Sequence, residues 1–312
     1  MRKLRAIAVL LGLLLATVVL FKALFFAMDA STSSRVPTVV IGSKADTEGV
    51  ILAEIIAQWI EHRTPLHVTR RTNLGGTNIC FEAIRSGQIG IYPEYTGTGL
   101  TAILHRPVMS DPIAVLATVR DEFARQHALV WTEPLGFDNT YALAVRTTLA
   151  TRLGLVRVSD LAAHPEFSAG FTSEFLARDD GWPGLRDRYG LRFADNPRGM
   201  EAGLMYQAAA SGQVDVISAY STDGRIATLG LTVLEDDRHF FPPYEAVPLV
   251  RRDVLLEHPR LRPVLRELGH SIDGDAMRRM NAEVDSGRRT PADVAHEFVT
   301  GLSERLSTAA HP

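Results

Sequence analysis

Two stretches of this chain echo each other at one constant offset. Ser86-Gly87-Gln88-Ile89 leads to Tyr95 and then Thr98-Gly99, and Ser211-Gly212-Gln213-Val214 leads at the same spacing to Tyr220 and then Asp223-Gly224. Each copy reads as a helix end stopped by glycine, a short apolar strand, and a turn that carries an aromatic ring and an oxygen-bearing side chain past the strand's C-terminal edge. Ligands of open α/β sheets gather at that edge. The pattern predicts two similar half-units, each offering a tyrosine to something held between them. The competing reading is a chance Ser-Gly-Gln coincidence beside two buried tyrosines.

A chain of 312 residues with 46% hydrophobic and 22% charged residues is globular and long enough for about two domains. Its formal charge of −3 recruits neither nucleic acid nor an anionic membrane surface. Residues 1–30 combine a basic Met1–Arg5, a charge-free apolar run from Ala6 to Leu20 and small Ala27 and Ala30, the plan of a secretory signal. Lys22 and the apolar tail around it blur the cleavage site, so an uncleaved membrane anchor is the alternative; both place the chain in the periplasm. Cys80, the single cysteine, supports no internal disulfide and sits on an apolar helical face as a small buried side chain.

Thr38–Gly42 reads as a buried strand, and Asp46 or Thr47 caps a following helix with apolar positions Val50, Ile51, Ile55 and Trp59. That helix start, beside Lys44, favours an anion. Strand, helix, strand, helix, strand up to about Tyr92 describes a parallel α/β lobe. A second lobe runs through Phe167–Phe171, the helix Met200–Ala210 and the strand Val214–Ser218, and residues from Asp253 to about Leu302 are helical, broken at Pro259, Pro263 and Pro291, with a frayed end of ten residues. Apolar runs after Tyr141 and Tyr244 read as crossings between the lobes. The expected organisation is a first lobe of 37–140 plus 244–312, a second of 141–243, and a cleft between them that closes by hinging.

Of the seven tyrosines, Tyr95, Tyr141, Tyr220 and Tyr244 fall at strand edges or crossings. Converging rings suit a quaternary ammonium, which offers no N–H to a hydrogen bond and is held by aromatic faces. Each such contact contributes about 0.5–2 kcal/mol, against the roughly 8 kcal/mol of a micromolar complex. Ordinary core aromatics are the competing reading. Lys44, Thr98 and Arg178 are placed to hold a carboxylate, Arg through its planar fork; solvated surface positions are the alternative for Lys44 and Arg178.

Two enzyme readings compete. Gly97-Thr-Gly-Leu-Thr-Ala102 fits a dinucleotide fingerprint, but Pro93 to Thr96 separate it from a strand expected to end near Tyr92. Gly269-His-Ser-Ile-Asp-Gly274 misses the nucleophile elbow by one place, and the histidines show no metal-binding spacing.

Ile41-Gly-Ser-Lys44, Thr47-Glu48, Asn73-Leu-Gly-Gly-Thr77, Tyr92-Pro-Glu-Tyr-Thr-Gly-Thr-Gly99 and Leu135-Gly-Phe-Asp-Asn-Thr-Tyr-Ala-Leu143 resemble the substrate-binding proteins of osmoprotectant ABC importers, the glycine betaine, choline and carnitine binders. The resemblance covers about residues 38 to 302. It implies a type II periplasmic-binding-protein fold, two α/β lobes joined by two hinge crossings. It implies no catalysis and no cofactor, and delivery of a betaine-type ligand to a permease in the inner membrane by a monomer. In that family the trimethylammonium sits in a tyrosine cage, to which Tyr95, Tyr141, Tyr220 and Tyr244 correspond, and the carboxylate meets Lys, Thr and Arg, matched by Lys44, Thr98 and Arg178. Asp46, where many members carry an aromatic, and Gly49, where Gln is common, depart from the pattern.

Overall fold

The structure, a computed structural model, describes residues 38–309. Among them the strands are, in chain order, β1 (Thr38–Gly42), β2 (His67–Arg71), β3 (Ile91–Tyr95), β4 (Leu129–Trp131) and β5 (Tyr141–Arg146). They continue with β6 (Ala169–Phe171), β7 (Arg198–Gly199), β8 (Val216–Tyr220), β9 (Leu231–Leu234) and β10 (Ala246–Arg251). Two five-stranded sheets result, ordered β2-β1-β3-β10-β4 and β7-β6-β8-β5-β9.

The two sheets share a plan. β3 runs parallel to β1 and antiparallel to β10; β8 runs parallel to β6 and antiparallel to β5. The echo read in the sequence falls on these equivalent strands, with Tyr95 the last residue of β3 and Tyr220 the last of β8. β10, from late in the chain, is inserted between β3 and β4, so the first sheet combines both ends of the described chain.

Strand ends differ from expectation by two or three residues, with one consequence. β3 continues through Pro93 to Tyr95, with Pro93 opposite Pro248 of β10 at a position where neither proline is asked for an N–H across that pair. The Pro248 carbonyl points to the other side of β10 and accepts the Thr132 backbone N–H at 3.2 Å and hydroxyl at 3.0 Å. The strand therefore turns directly into Thr96–Thr98, and the spacing argument against a dinucleotide turn fails. Packing excludes that turn instead. A Cβ on Gly97 would lie 2.8 Å from the Pro243 carbonyl oxygen and the Tyr244 ring, and one on Gly99 would lie 2.5 Å from the Trp131 ring. These glycines admit aromatic rings rather than a pyrophosphate.

The helix Thr47–Arg63 begins as expected, the Asp46 carboxylate accepting the Gly49 N–H at 2.6 Å. Ile51, Leu52, Ile55, Ile56, Trp59 and Ile60 are fully buried along it, and each such side chain contributes about 1.5–3 kcal/mol. It thereby fixes Lys44, Asp46 and Glu48 at the edge of β1. Cys80 is buried and unpaired, and burial pushes its thiol up to about 12.

The C-terminal region holds the helices Arg252–Glu257, Leu261–Glu267, Gly274–Asp285 and Pro291–Ala309. Pro263 does not break the run: it lies in the first turn of its helix, where an N–H is not required. The end expected to fray is helical to Ala309. The signal or anchor expected at 1–30 lies outside the described residues, among which no helix is long and apolar enough to cross a membrane.

Candidate functional site

A cavity of about 700 Å³ opens between the two sheets, and all seven residues singled out in the sequence line it: Lys44, Tyr95, Thr98, Tyr141, Arg178, Tyr220 and Tyr244. Lys44 follows β1, and Tyr95 and Thr98 stand at the end of β3 and in the turn after it. Tyr141 begins β5, Tyr220 ends β8, Arg178 caps the helix Ser173–Ala177, and Tyr244 precedes β10.

Three of the four rings form one cluster. Tyr141 meets Tyr220 at 5.1 Å between centroids, tilted by 33°, and meets Tyr244 edge-on at 5.4 Å and 84°. Phe175 backs Tyr141 at 5.0 Å. Tyr95 makes no ring contact with the other three among the described residues; it lines the cavity from the first sheet, with the Lys44 ammonium 5.2 Å from its centroid. The Arg178 guanidinium stands 5.6 Å from the Tyr141 ring.

Both predicted cations are already paired. Lys44 Nζ donates to Glu94 Oε1 at 2.5 Å, and Glu94, fully buried, also accepts the Tyr95 N–H and the Tyr92 hydroxyl. Burial opposes the Lys44 charge, but Glu94, with Glu174 and Asp46, outweighs it and holds the ammonium above its ordinary pKa. Arg178 donates Nε to Asp180 Oδ1 at 2.7 Å and Nη2 to Oδ2 at 2.5 Å, and reaches Glu174 at 3.2 Å. Burial likewise opposes its charge, and Asp180 with the neighbouring groups outweighs it; in return the guanidinium together with the Thr101 and Tyr244 hydroxyls overcomes burial and keeps Asp180 below the usual carboxylate range. Thr98 is buried, and its hydroxyl makes no hydrogen bond among the described residues, so it remains able to receive a ligand oxygen.

The helix start expected to attract an anion is occupied by the chain's own Asp46. The Asp46 carboxylate also lines the cavity, and burial raises its pKa despite the Gly49 N–H. The two positions that depart from the resembled pattern are in contact: a Cβ on Gly49 would lie 3.1 Å from Asp46 Oδ1.

Carboxylates are what the sequence reading missed. Glu48, Glu174 and Asp180 each accept a threonine hydroxyl contributed by the half of the chain opposite their own. Thr222 donates to Glu48 Oε2 at 2.6 Å, Thr77 to Glu174 Oε1 at 2.9 Å, and Thr101 to Asp180 Oδ2. Glu48 and Asp180 also hold one tyrosine hydroxyl each, from Tyr95 at 2.6 Å and Tyr244 at 2.7 Å. In the sequence each stands near a predicted base, Glu48 four residues beyond Lys44, Glu174 four before Arg178 and Asp180 two beyond it, and Glu48 also falls in the Thr47-Glu48 pair of the resemblance.

Residues 37–301 match the OpuAC family, described as the substrate-binding domain of ABC-type glycine betaine transport systems. The chain belongs to this family. As an OpuAC-family protein it is 37% identical over 281 residues to a glycine-betaine-binding protein of Pseudomonas aeruginosa, covering 86% of this chain and 89% of that one. It is 36% identical over 265 residues to the carnitine transport binding protein OpuCC of Listeria monocytogenes, covering 84% of this chain and 86% of that one. Among solved structures it is similar to a glycine betaine/carnitine/choline ABC transporter protein, with a TM-score of 0.72, 34% identity, and 85% of this chain and 97% of that chain covered. The OpuAC-family fold is that of type II periplasmic binding proteins, as the sequence led one to expect.

Proposed function

We propose that this protein captures a quaternary ammonium osmoprotectant of the betaine class outside the cytoplasm and hands it to the permease of an ABC importer in the inner membrane. The observation that carries the reading is the gathering of Tyr95, Tyr141, Tyr220 and Tyr244 on one cavity from both sheets. A trimethylammonium group lies against ring faces at about 0.5–2 kcal/mol each, so four rings supply a large part of the roughly 8 kcal/mol that micromolar binding requires. The relatives named for glycine betaine and for carnitine support the same ligand class.

In this reading residues 37–140 with 244–312 form one lobe and 141–243 the other. They hinge at the crossings near Tyr141 and Tyr244, and the ligand's carboxylate meets Lys44, Thr98 and Arg178. The protein works as a monomer, without cofactor or catalysis. Residues 1–30 export it to the periplasm, either cleaved or as an anchor.

Choline is the second reading, favoured by the charge balance of the wall. Lys44 and Arg178 are each matched by a buried carboxylate, and Asp46 and Glu174 add further negative charge, which suits a cation without an acidic tail. Calorimetric competition separates the two. Tighter glycine betaine supports the carboxylate contacts at Lys44, Thr98 and Arg178; tighter choline removes them. A panel of betaines and choline that raises no melting temperature would overturn the whole reading, since a ligand that binds only the folded state must stabilise it.

A further inference from the structure

Glu48 is 5% exposed, and among the described residues no lysine or arginine forms an ion pair with it. A carboxylate buried without a counter-ion depends on its hydrogen bonds, and it has about four lone-pair directions to fill. All four are filled. Oε1 accepts the Tyr95 hydroxyl at 2.6 Å and Asn139 Nδ2 at 2.8 Å; Oε2 accepts the Thr222 hydroxyl at 2.6 Å and Asn281 Nδ2 at 2.8 Å.

These donors come from four different places. Tyr95 ends β3, Asn281 lies on the helix Gly274–Asp285, Asn139 lies on the segment entering β5, and Thr222 follows β8 of the second sheet. Both asparagines turn their amide nitrogens to Glu48 and leave their Oδ1 atoms buried without a partner. Two orphaned acceptors are costly, and the arrangement persists because the carboxylate takes the N–H side of each amide.

We propose that Glu48 is a positioning residue that ties the Tyr95 face of the cage to the approach of the opposite half of the protein; the proposal rests on the quaternary ammonium reading above. From the first half Glu48 holds Tyr95 by its hydroxyl, which fixes the ring that faces the cavity. From the second half only Thr222 reaches it, so the carboxylate is fully satisfied only when the two halves meet. The bond acts on the ligand as well. A phenol that donates to a carboxylate gains electron density in its ring, and Glu48 takes that hydrogen bond at the hydroxyl edge of the ring whose face a cation would approach. Closure and cage strength thus share one group.

The test is a double-mutant cycle on the dissociation constants of tetramethylammonium, choline and glycine betaine, with Glu48→Gln, Tyr95→Phe and Thr222→Val singly and in pairs. Glu48→Gln keeps the shape but turns an amide nitrogen toward groups that are all donors. It is expected to weaken every probe by about tenfold or more, as does loss of a hydrogen bond to a charged group. In the Glu48→Gln background Tyr95→Phe and Thr222→Val are expected to have little further effect. Should Glu48→Gln not fold, Tyr95→Phe and Thr222→Val still decide: they share no hydrogen bond, yet they must be coupled through Glu48. A structural role alone would lower the melting temperature of the unliganded protein and leave the losses multiplying independently, which overturns the proposal. If the wild-type protein binds none of the probes, the ligand reading falls and takes this proposal with it. Binding by the wild type with independent losses sinks the role of Glu48 alone.

Discussion

Tyr141 and Tyr220 stand directly opposite each other where the β5–β8 ladder begins, and their rings meet at 5.1 Å. One cross-strand pair thus supplies two walls of the cavity, and its geometry is set by sheet register rather than by any loop. Tyr244, two residues ahead of β10, closes on Tyr141 from the first sheet's side.

The hydroxyls divide the tyrosines into two classes. Tyr95 and Tyr244 donate to Glu48 and Asp180, whereas Tyr141 and Tyr220 make no hydrogen bond to a carboxylate among the described residues. Tyr→Phe at 141 or 220 is expected to leave the dissociation constant for a quaternary ammonium nearly unchanged. Tyr→Ala at the same sites should weaken binding by roughly two- to thirtyfold through loss of the ring face. Tyr→Phe at 95 or 244 should be the costlier conservative change. Calorimetry on the six variants checks this, and uniform effects of all four Phe substitutions would reject the division.

Asp180 gives the protein an acid limit. Burial would raise its pKa, but the hydrogen bonds and charge of Arg178 together with the Thr101 and Tyr244 hydroxyls hold it below the unfolded value of 3.8. The stabilisation is therefore present above that value and is lost as pH falls through the lower folded one. Asp180→Asn is expected to flatten the acid limb of a denaturation series run from neutral pH down through the carboxylate range. Arg178→Met, which leaves the carboxylate buried without its cation, should cost about 3–5 kcal/mol. An Asp180→Asn series as steep as the wild type would show that other carboxylates set the limit.

Lys44 acts at the other end of the pH scale. Burial works against its charge, Glu94, with Glu174 and Asp46, more than restores it, and the folded pKa lies above the unfolded 10.5. Its stabilisation is complete below that value and disappears as pH rises through the folded one. Lys44→Met is expected to destabilise by about 3–5 kcal/mol, since Glu94 is left buried and unpaired, and Lys44→Met with Glu94→Gln should recover most of the loss. Urea titrations at pH 7 of the two variants measure both effects; equal destabilisation by the single and double variants would contradict the pairing.

Gly97 and Gly99 transmit packing to the cage. Alanine at Gly99 drives a methyl into Trp131, and alanine at Gly97 meets the Pro243 carbonyl and the Tyr244 ring. Each is expected to cost about 1–3 kcal/mol by overpacking. Only Gly97→Ala should also weaken ligand, because it displaces a cage ring. Chemical denaturation and calorimetry on the pair distinguish stability from binding, and equal loss of affinity in both would mean that Gly99 reaches the cage as well.

Local sequence settled what depends on near neighbours along the chain. The Asp46 cap, the apolar face of Thr47–Arg63 and the echo that became β3 and β8 all follow from spacing, because helices and strands bury residues at fixed periods. Aromatic, basic and hydroxyl residues at strand edges were legible for the same reason, and those seven positions do line one cavity. The exact ends of β3 and β8 were not, because register across the sheet carried them past Pro93 and Ser218. Nor were Glu48, Glu174 and Asp180, whose threonine donors lie 174, 97 and 79 residues away in the chain. An acid's role depends on which donors surround it, and here those donors meet only after both sheets have folded and faced each other. Sequence thus named the rings and cations of the site, while the tertiary structure alone decided that each cation arrives with its charge already matched.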